Sequence, residues 1–216
     1  MPDLDFQVQG VAAPQFAAAP LLAFKLHLAN AIIEQPIHSI ALRCQIQIAA
    51  TRRRYSPSEQ AQLLDLFGEP ERWSQTLRSM LWTHASVVVP PFTGDAVVDL
   101  PVACTYDFNV AATKYFYALE DGDIPLLFLF SGTIFYATDD GALQVAQISW
   151  DKEAPFKLPV HVWRQMMDHY YPNSNWLSLR KDVFDRLYRY KIQRGLPTWE
   201  QALESLLPTI DEQVST

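Results

Sequence analysis

The sequence predicts an α+β fold: an antiparallel, β-sandwich-like sheet domain with a short helical insertion at about 56–81 and a C-terminal helical tail. Three observations carry that expectation. Apolar and polar residues alternate with period two through most of residues 4–150, a helix-start signature interrupts them at Ser56, and beyond Trp150 the apolar period changes to 3.6.

The strands come first. In LLAFKLHLAN, Leu22, Phe24, Leu26 and Leu28 share one face, with Lys25 and His27 on the other. IHSIALRCQIQI repeats the pattern: Ile40, Leu42, Cys44, Ile46 and Ile48 face in, while Ser39, Arg43, Gln45 and Gln47 face out. DAVVDLPVACTYDFNV sets Val98, Leu100, Val102, Cys104, Tyr106 and Phe108 together, opposite Asp95, Asp99, Asp107 and Asn109. One-sided strands of this kind belong to antiparallel sheets with one solvated face. IPLLFLFSGTIFY is apolar on both faces and reads as a central strand covered on both sides. Asp139-Asp140-Gly141-Ala142 is a hairpin turn leading into LQVAQISW. About seven strands punctuated by such turns suggest a sandwich.

The helices follow. Ser56-Pro57-Ser58-Glu59 is a capping box, with Ser56 as N-cap, Pro57 at the first helical position and Glu59 three residues on. This helix carries Leu63, Leu64 and Phe67 and stops at Gly68. EPERWSQTLRSML places Trp73, Leu77, Met80 and Leu81 at helical spacing, which extends the insertion to residue 81. PVHVWRQMMDHYYP is a helix bounded by Pro159 and Pro172, striped by Val162, Trp163, Met166, Met167 and Tyr170. KDVFDRLYRYKI is a second, and TWEQALESLL a third behind a box from Thr198 to Gln201. With no repeat or low-complexity linker, the expectation is a single domain over 1–216. In it, 1–158 is mainly β with the insertion, 159–208 is a helical tail packed on it, and 209–216 is disordered.

Composition narrows the function classes. With 216 residues, 49% hydrophobic and 19% charged, the chain can bury a full core. The formal net charge is −7; residues 1–150 hold 8 Lys/Arg against 15 Asp/Glu and residues 151–216 hold 9 of each. Neither half is basic, so the broad positive field of a nucleic-acid-binding protein is missing. The acidic start MPDLDFQVQG has no apolar core of a signal peptide, and no apolar run approaches a membrane span. Two cysteines without a Cys-x-x-Cys fit a reducing cytoplasm. The expectation is a cytoplasmic protein with neither nucleic acid nor membrane as partner.

Residues that could carry chemistry are few. Arg52-Arg53-Arg54 lies between a strand end and a capped helix. Alternation sends Arg52 and Arg54 to one side and Arg53 to the other, so the plain reading is a solvated or salt-bridged strand end. A contact with an anion or acidic partner, helped by the nearby helix start, is the second reading. His161, Gln165, Asp168 and His169 share the polar side of one helix, but the two histidines are eight apart and lack the i, i+4 spacing of a metal pair. His27, His38 and His84 lie on strand patterns, each without a paired acid. Cys44 and Cys104 take inward strand positions, where thiols behave as small hydrophobes. No G-x-x-x-x-G-K, G-x-G-x-x-G or G-x-S-x-G occurs, and the acidic clusters at 120–123 and 139–140 sit beside Gly122 and Gly141 as turn chemistry. The expectation is no catalytic residue, no metal site and no cofactor.

One stretch resists a bland account. DHYYPNSNWLSLRKD gathers Tyr170, Tyr171, Asn173, Asn175, Trp176 and Arg180 between two helices, and loop Tyr, Trp and Arg are over-represented in binding hot spots. Tyr170, Tyr171, Asn173, Trp176 and Arg180 are therefore the candidate partner-binding residues, with Arg52, Arg53 and Arg54 as a candidate anion or partner contact. The alternative for the aromatics is anchorage of the helical tail.

The ordered blocks ALRCQIQI, RRRYSPSEQ with LLDLFGEPERW, LWTHASVVVPPFTG, DLPVACTYDFNVAATKYFYALEDG, PLLFLFSGT, WDKEA and YPNSNWLSLRKDVFDRLYRYK resemble, over the full length, a bacterial family classed as a domain of unknown function and common in actinobacteria. The resemblance implies genes lying beside those of high-affinity, oxygen-tolerant nickel–iron hydrogenases. It further implies an accessory or assembly role, with a hydrogenase subunit or maturation factor as partner. It supplies no catalytic residue. The functional expectation is a non-catalytic cytoplasmic accessory protein acting by protein–protein interaction. The alternative is a small-molecule- or carbohydrate-binding sandwich, or a weakly marked enzyme, with a pocket near 169–176.

Overall fold

The computed structural model describes residues 1–105, 110–138, 141–174 and 177–207. Tyr106, Asp107, Phe108 and Asn109 of the expected strand, the Asp139-Asp140 turn, Asn175, Trp176 and the 209–216 tail therefore lie outside the described residues. The chain divides into two compact units, 1–173 and 174–216.

The first unit is built on two antiparallel sheets. Strands β1 (Leu4–Ala12), β2 (Leu21–Asn30) and β5 (Asp95–Ala103) form one in the order β1-β2-β5. The other runs β4 (Met80–Val89), β3 (Ile37–Ile48), β6 (Asp123–Ala137), and along its far side β6 pairs with β7 (Leu143–Gln147) and β8 (Glu153–Pro159). Alternation predicted the inner faces well: Leu22, Phe24, Leu26 and Leu28 are fully buried, as are Ile40, Leu42, Cys44, Ile46 and Ile48. Across the gap Phe6 stacks on Phe130 with centroids 4.3 Å apart, and Phe24 meets Phe128 edge-on at 5.0 Å. Buried aromatics in such geometries add to the burial of their area. The arrangement is sandwich-like.

Strand β6 changes partner midway. Residues Asp123–Leu129 pair with β8 and Thr133–Ala137 with β7, and Gly132, between the two, has φ +145°. A Cβ there would stand 2.2 Å from the Ala41 carbonyl oxygen on β3, so only glycine lets the strands close. The inner face of β6 is buried, but Leu127, Leu129 and Phe135 on its other face are half-buried, so the strand is not enclosed on both sides as its composition suggested.

Three sequence expectations need correction. The insertion is four short pieces rather than helices reaching residue 81. These are α1 (Pro57–Gln62), α2 (Leu64–Phe67), a 3₁₀ turn at Pro70–Arg72 and α3 (Trp73–Thr76). Leu77 is extended (ψ 117°), and Met80 and Leu81 begin β4 because they pair with Ile48 and Gln47. The run after Val102 is not a long strand: the strand stops at Ala103, and α4 (Val110–Ala118) buries Ala112, Tyr115, Phe116 and Ala118. Beyond Trp150 the period does not turn helical at once, since β8 intervenes.

Helix α5 (Val160–Tyr170), read above as the first helix of the tail, belongs to the first unit, where Trp163 packs at 5.2 Å from Phe116 and 4.7 Å from Tyr117. The second unit contains α6 (Lys181–Gln193) and α7 (Trp199–Glu204), the latter capped by Thr198, whose hydroxyl accepts from the Gln201 N–H at 3.2 Å. No helix among the described residues is long and apolar enough to cross a membrane.

Candidate functional site

The arginine triplet resolves into one inward and two outward side chains. β3 ends at Ile48 and Ala50–Arg52 turn as a 3₁₀ helix, so the strand has finished before the triplet is complete. Arg52 and Arg54 are exposed. Arg53 turns inward: Nη2 lies 2.5 Å from Glu59 Oε1 and donates to the Asp121 carbonyl at 2.7 Å, while Nη1 donates to the Asp123 carbonyl at 2.7 Å. Its guanidinium also stands 5.9 Å from the Tyr55 ring centroid. Glu59, three residues past the Ser56 cap, additionally accepts from the Ser56 and Glu120 N–H groups, each at 3.0 Å. Burial pushes the Glu59 carboxyl up, but these donated hydrogen bonds and the Arg53 charge outweigh it and hold the group below its ordinary value. Arg53–Glu59 thus clamps α1 onto the turn that launches β6; both Nη atoms are engaged by protein oxygens, while the buried Nε has no hydrogen-bond partner among the described residues.

Beside the clamp, the Tyr55 hydroxyl donates to the Ala50 carbonyl at 2.7 Å and meets the Tyr115 hydroxyl at 2.8 Å. Burial raises both phenols, Tyr55 to about 12 and Tyr115 further, so both are neutral hydrogen-bonding groups near neutral pH. Burial likewise lifts the Cys44 and Cys104 thiols to about 12, which keeps them protonated and inert.

The described residues of the aromatic stretch fall in both units. Tyr170 and Tyr171 are half-buried and pack against the core of the first unit, where the Tyr170 hydroxyl donates to the Ala17 carbonyl at 2.7 Å. Asn173 is exposed with φ 54° and ends that unit. Arg180 belongs to the second unit, where it precedes α6 and meets Asp182 at 3.2 Å on an exposed surface. Among the histidines, His38 and His84 are exposed, whereas His27 does have an acid partner: its Nε2 lies 3.2 Å from Asp95 Oδ2. Local alternation could not show this, because the two residues are 68 apart in sequence. Among the described residues no three His, Cys, Asp or Glu side chains gather as a metal site would require.

A feature that the sequence reading missed is the outer face of the five-stranded sheet. Val88 is 71% exposed, Leu143 60%, Val145 57% and Leu81 47%. Leu143 and Val145 lie beside β6, with Phe135 opposite Val145, whereas Leu81 and Val88 on β4 are separated from β6 by Gln47 and Ala41 of β3. The two-faced apolar run of β6 was the available signal, and it was read as burial rather than as display.

These features define an α+β protein built on two antiparallel sheets, with an apolar outer face on the larger one. The chain belongs to the Family of unknown function (DUF6084), whose model matches residues 1–215. No curated protein matches it. Similar solved structures include a late embryogenesis abundant (LEA)-type protein, at 19% identity over 74% of this chain and 73% of that one, TM-score 0.35. Another is the CARDB domain of a Pyrococcus furiosus protein, at 10% identity over 74% and 94%, TM-score 0.25. A third is a β-glucosidase from Kluyveromyces marxianus, at 15% identity over 72% and 15%, TM-score 0.26. At these values the likenesses carry no functional argument.

Proposed function

We propose that this protein is a non-catalytic cytoplasmic accessory or assembly protein that binds another protein through the outer face of its five-stranded sheet. The observation that supports this reading is the apolar character of that face. The solvent side of an antiparallel sheet is ordinarily polar; here Leu143 and Val145 are exposed beside half-buried Phe135, and Leu81 and Leu127 flank Gln47 at the other end. The face is crossed at its middle by exposed Ser86, Arg43 and Ser131, so the apolar side chains form two small groups, and small exposed apolar groups beside polar side chains are typical of interaction sites. The resemblance described above adds the setting: assembly or maturation of a nickel–iron hydrogenase, with one of its subunits or maturation factors as the partner.

The test is affinity purification of the tagged protein from its native host under hydrogenase-expressing conditions, beside a Val88→Asp/Val145→Asp variant and a Tyr171→Ala variant. Hydrogenase subunits or maturation factors should co-purify with the parent protein and be lost from the sheet variant. Loss from Tyr171→Ala alone would move the contact to the aromatic stretch. A gene deletion that leaves hydrogenase assembly and activity intact would refute the hydrogenase setting.

A further inference from the structure

The sandwich is closed along both flanks except at one strand. β4 runs beside β5 on one flank, and β1 beside β8 on the other. β5 and β8 also carry residues that keep edges from pairing: Asp95, Asp99 and Pro101 on the first, Glu153, Pro155 and Lys157 on the second. Strand β7, which takes over from β8 beside β6, has neither protection. Its sequence, Leu143-Gln144-Val145-Ala146-Gln147, holds no charge and no proline, and among the described residues it pairs with β6 alone. The Ile148 N–H donates to the Gly132 carbonyl at 3.0 Å. The alternation of an antiparallel ladder therefore turns the main chain of Gln144 and Ala146 toward β6, and that of Leu143, Val145 and Gln147 away from it. Beyond Gln147 the edge opens onto a cavity of about 290 Å³ bounded by Met1, Leu4, Ile148 and Lys152.

We propose that β7 is a self-association edge, on which two copies of the chain pair antiparallel about a two-fold axis at Val145 and join their larger sheets into one. Unpaired N–H and C=O groups accept an extended backbone, and one register uses all of them. With Val145 opposite itself, Leu143 of each copy meets Gln147 of the other, and every outward pair exchanges two bonds, about six in all. A shift of two residues either way leaves one outward residue of each copy without a strand partner. The make-up of β7 selects a second copy over a foreign segment. A foreign strand is chosen by charge complementarity or by side-chain pockets, and β7 offers no charge. Self-pairing takes its specificity from the two-fold match instead. Two copies of a chain with net charge −7 repel over most of their surfaces, and β7 is a stretch that brings no like charges together. This inference is independent of the sheet-face reading, because it uses the main chain of β7 and leaves the Leu143 and Val145 side chains on the outer face. A single pair of five-residue strands is smaller than a standard interface, so association is expected in the micromolar range.

Sedimentation of the full-length protein over a concentration series reads this directly. The 24.6 kDa chain should shift toward twice that mass as concentration rises. Val145→Pro keeps an apolar side chain but removes an outward N–H that β6 does not use, and should weaken the dimer at least about tenfold. Val145→Asp and Val145→Lys each set like charges opposite one another at the axis and should weaken it at least about fivefold. An equimolar mixture of those two variants should associate to within about threefold of the parent, since Asp then faces Lys. Circular dichroism confirms that each variant folds. Val88→Asp, on β4, should leave the dimer unchanged, which keeps this test apart from that of the sheet face. A monomer at every concentration overturns the proposal, as does a dimer indifferent to Val145→Pro. A mixture that associates no better than its two components overturns the axis at Val145.

Discussion

Phe24 and Phe184 are the same side chain on equally regular amphipathic elements, yet they end in different surroundings. Phe24 is fully buried among Trp82, Phe128 and Phe156, because the opposing sheet closes over β2. Phe184 remains 44% exposed, and among the described residues of 174–207 only Ala202 is a buried apolar side chain. The charge differs as well: residues 1–173 carry 11 Lys/Arg against 18 Asp/Glu, and residues 174–216 carry six of each. An amphipathic pattern states that a face is meant to be covered; it does not state by what. In the sandwich the cover is the other sheet; on α6, Trp199 covers part of the stripe and Phe184, Tyr188 and Ile192 stay partly exposed.

The largest effects should come from the closed region. Phe24→Ala removes a ring from a filled core and should lower unfolding free energy by about 3–5 kcal/mol in a denaturant titration. Phe184→Ala, in dilute solution, should change it by less than about 1 kcal/mol. Equal losses at the two sites would break the comparison. Gly132→Ala comes next: the new Cβ would strike the Ala41 carbonyl at 2.2 Å and must part β3 from β6, a loss of about 3 kcal/mol by the same titration. A near-neutral Gly132→Ala would mean that β3 and β6 can part at this point without loss.

How much of this was legible follows the range over which the deciding contact acts. The buried faces of β2 and β3 were readable because period two is a local property and the residues that obey it are long runs of Leu and Ile. Helix α4 was not: VAATKYFYA is apolar on most sides, so no 3.6-residue stripe stands out; Val110 was read as the end of the preceding strand run and 111–118 as no element. Met80 and Leu81 fit a helical spacing from Trp73, and only pairing with Ile48 and Gln47, more than 30 positions away, turns them into a strand. The candidate residues show the same limit. The triplet and the capping box were both visible, but the acceptors that turn Arg53 inward lie 68 and 70 residues downstream. The aromatic stretch drew attention by composition, whereas the apolar outer sheet face needed the sheet order before it could be seen at all.

The clamp supplies the most selective expectation. Glu59 is buried and accepts from Arg53 and two backbone N–H groups, and its carboxyl is held below the ordinary value of 4.5. As pH falls, the unfolded chain protonates Glu59 first, so the contribution is fully present above about pH 4.5 and is lost as pH drops through the folded value. Glu59→Gln keeps the shape but presents an amide to a largely buried guanidinium. It should therefore cost about 2 kcal/mol at neutral pH. It should also flatten the acid limb, so that variant and parent converge below pH 4.5. Parallel curves for the two proteins would show that the Arg53–Glu59 pair adds nothing beyond packing. The clamp would then be only a steric fit between α1 and the turn at Gly122, with the other carboxylates of this acidic first unit setting its acid sensitivity.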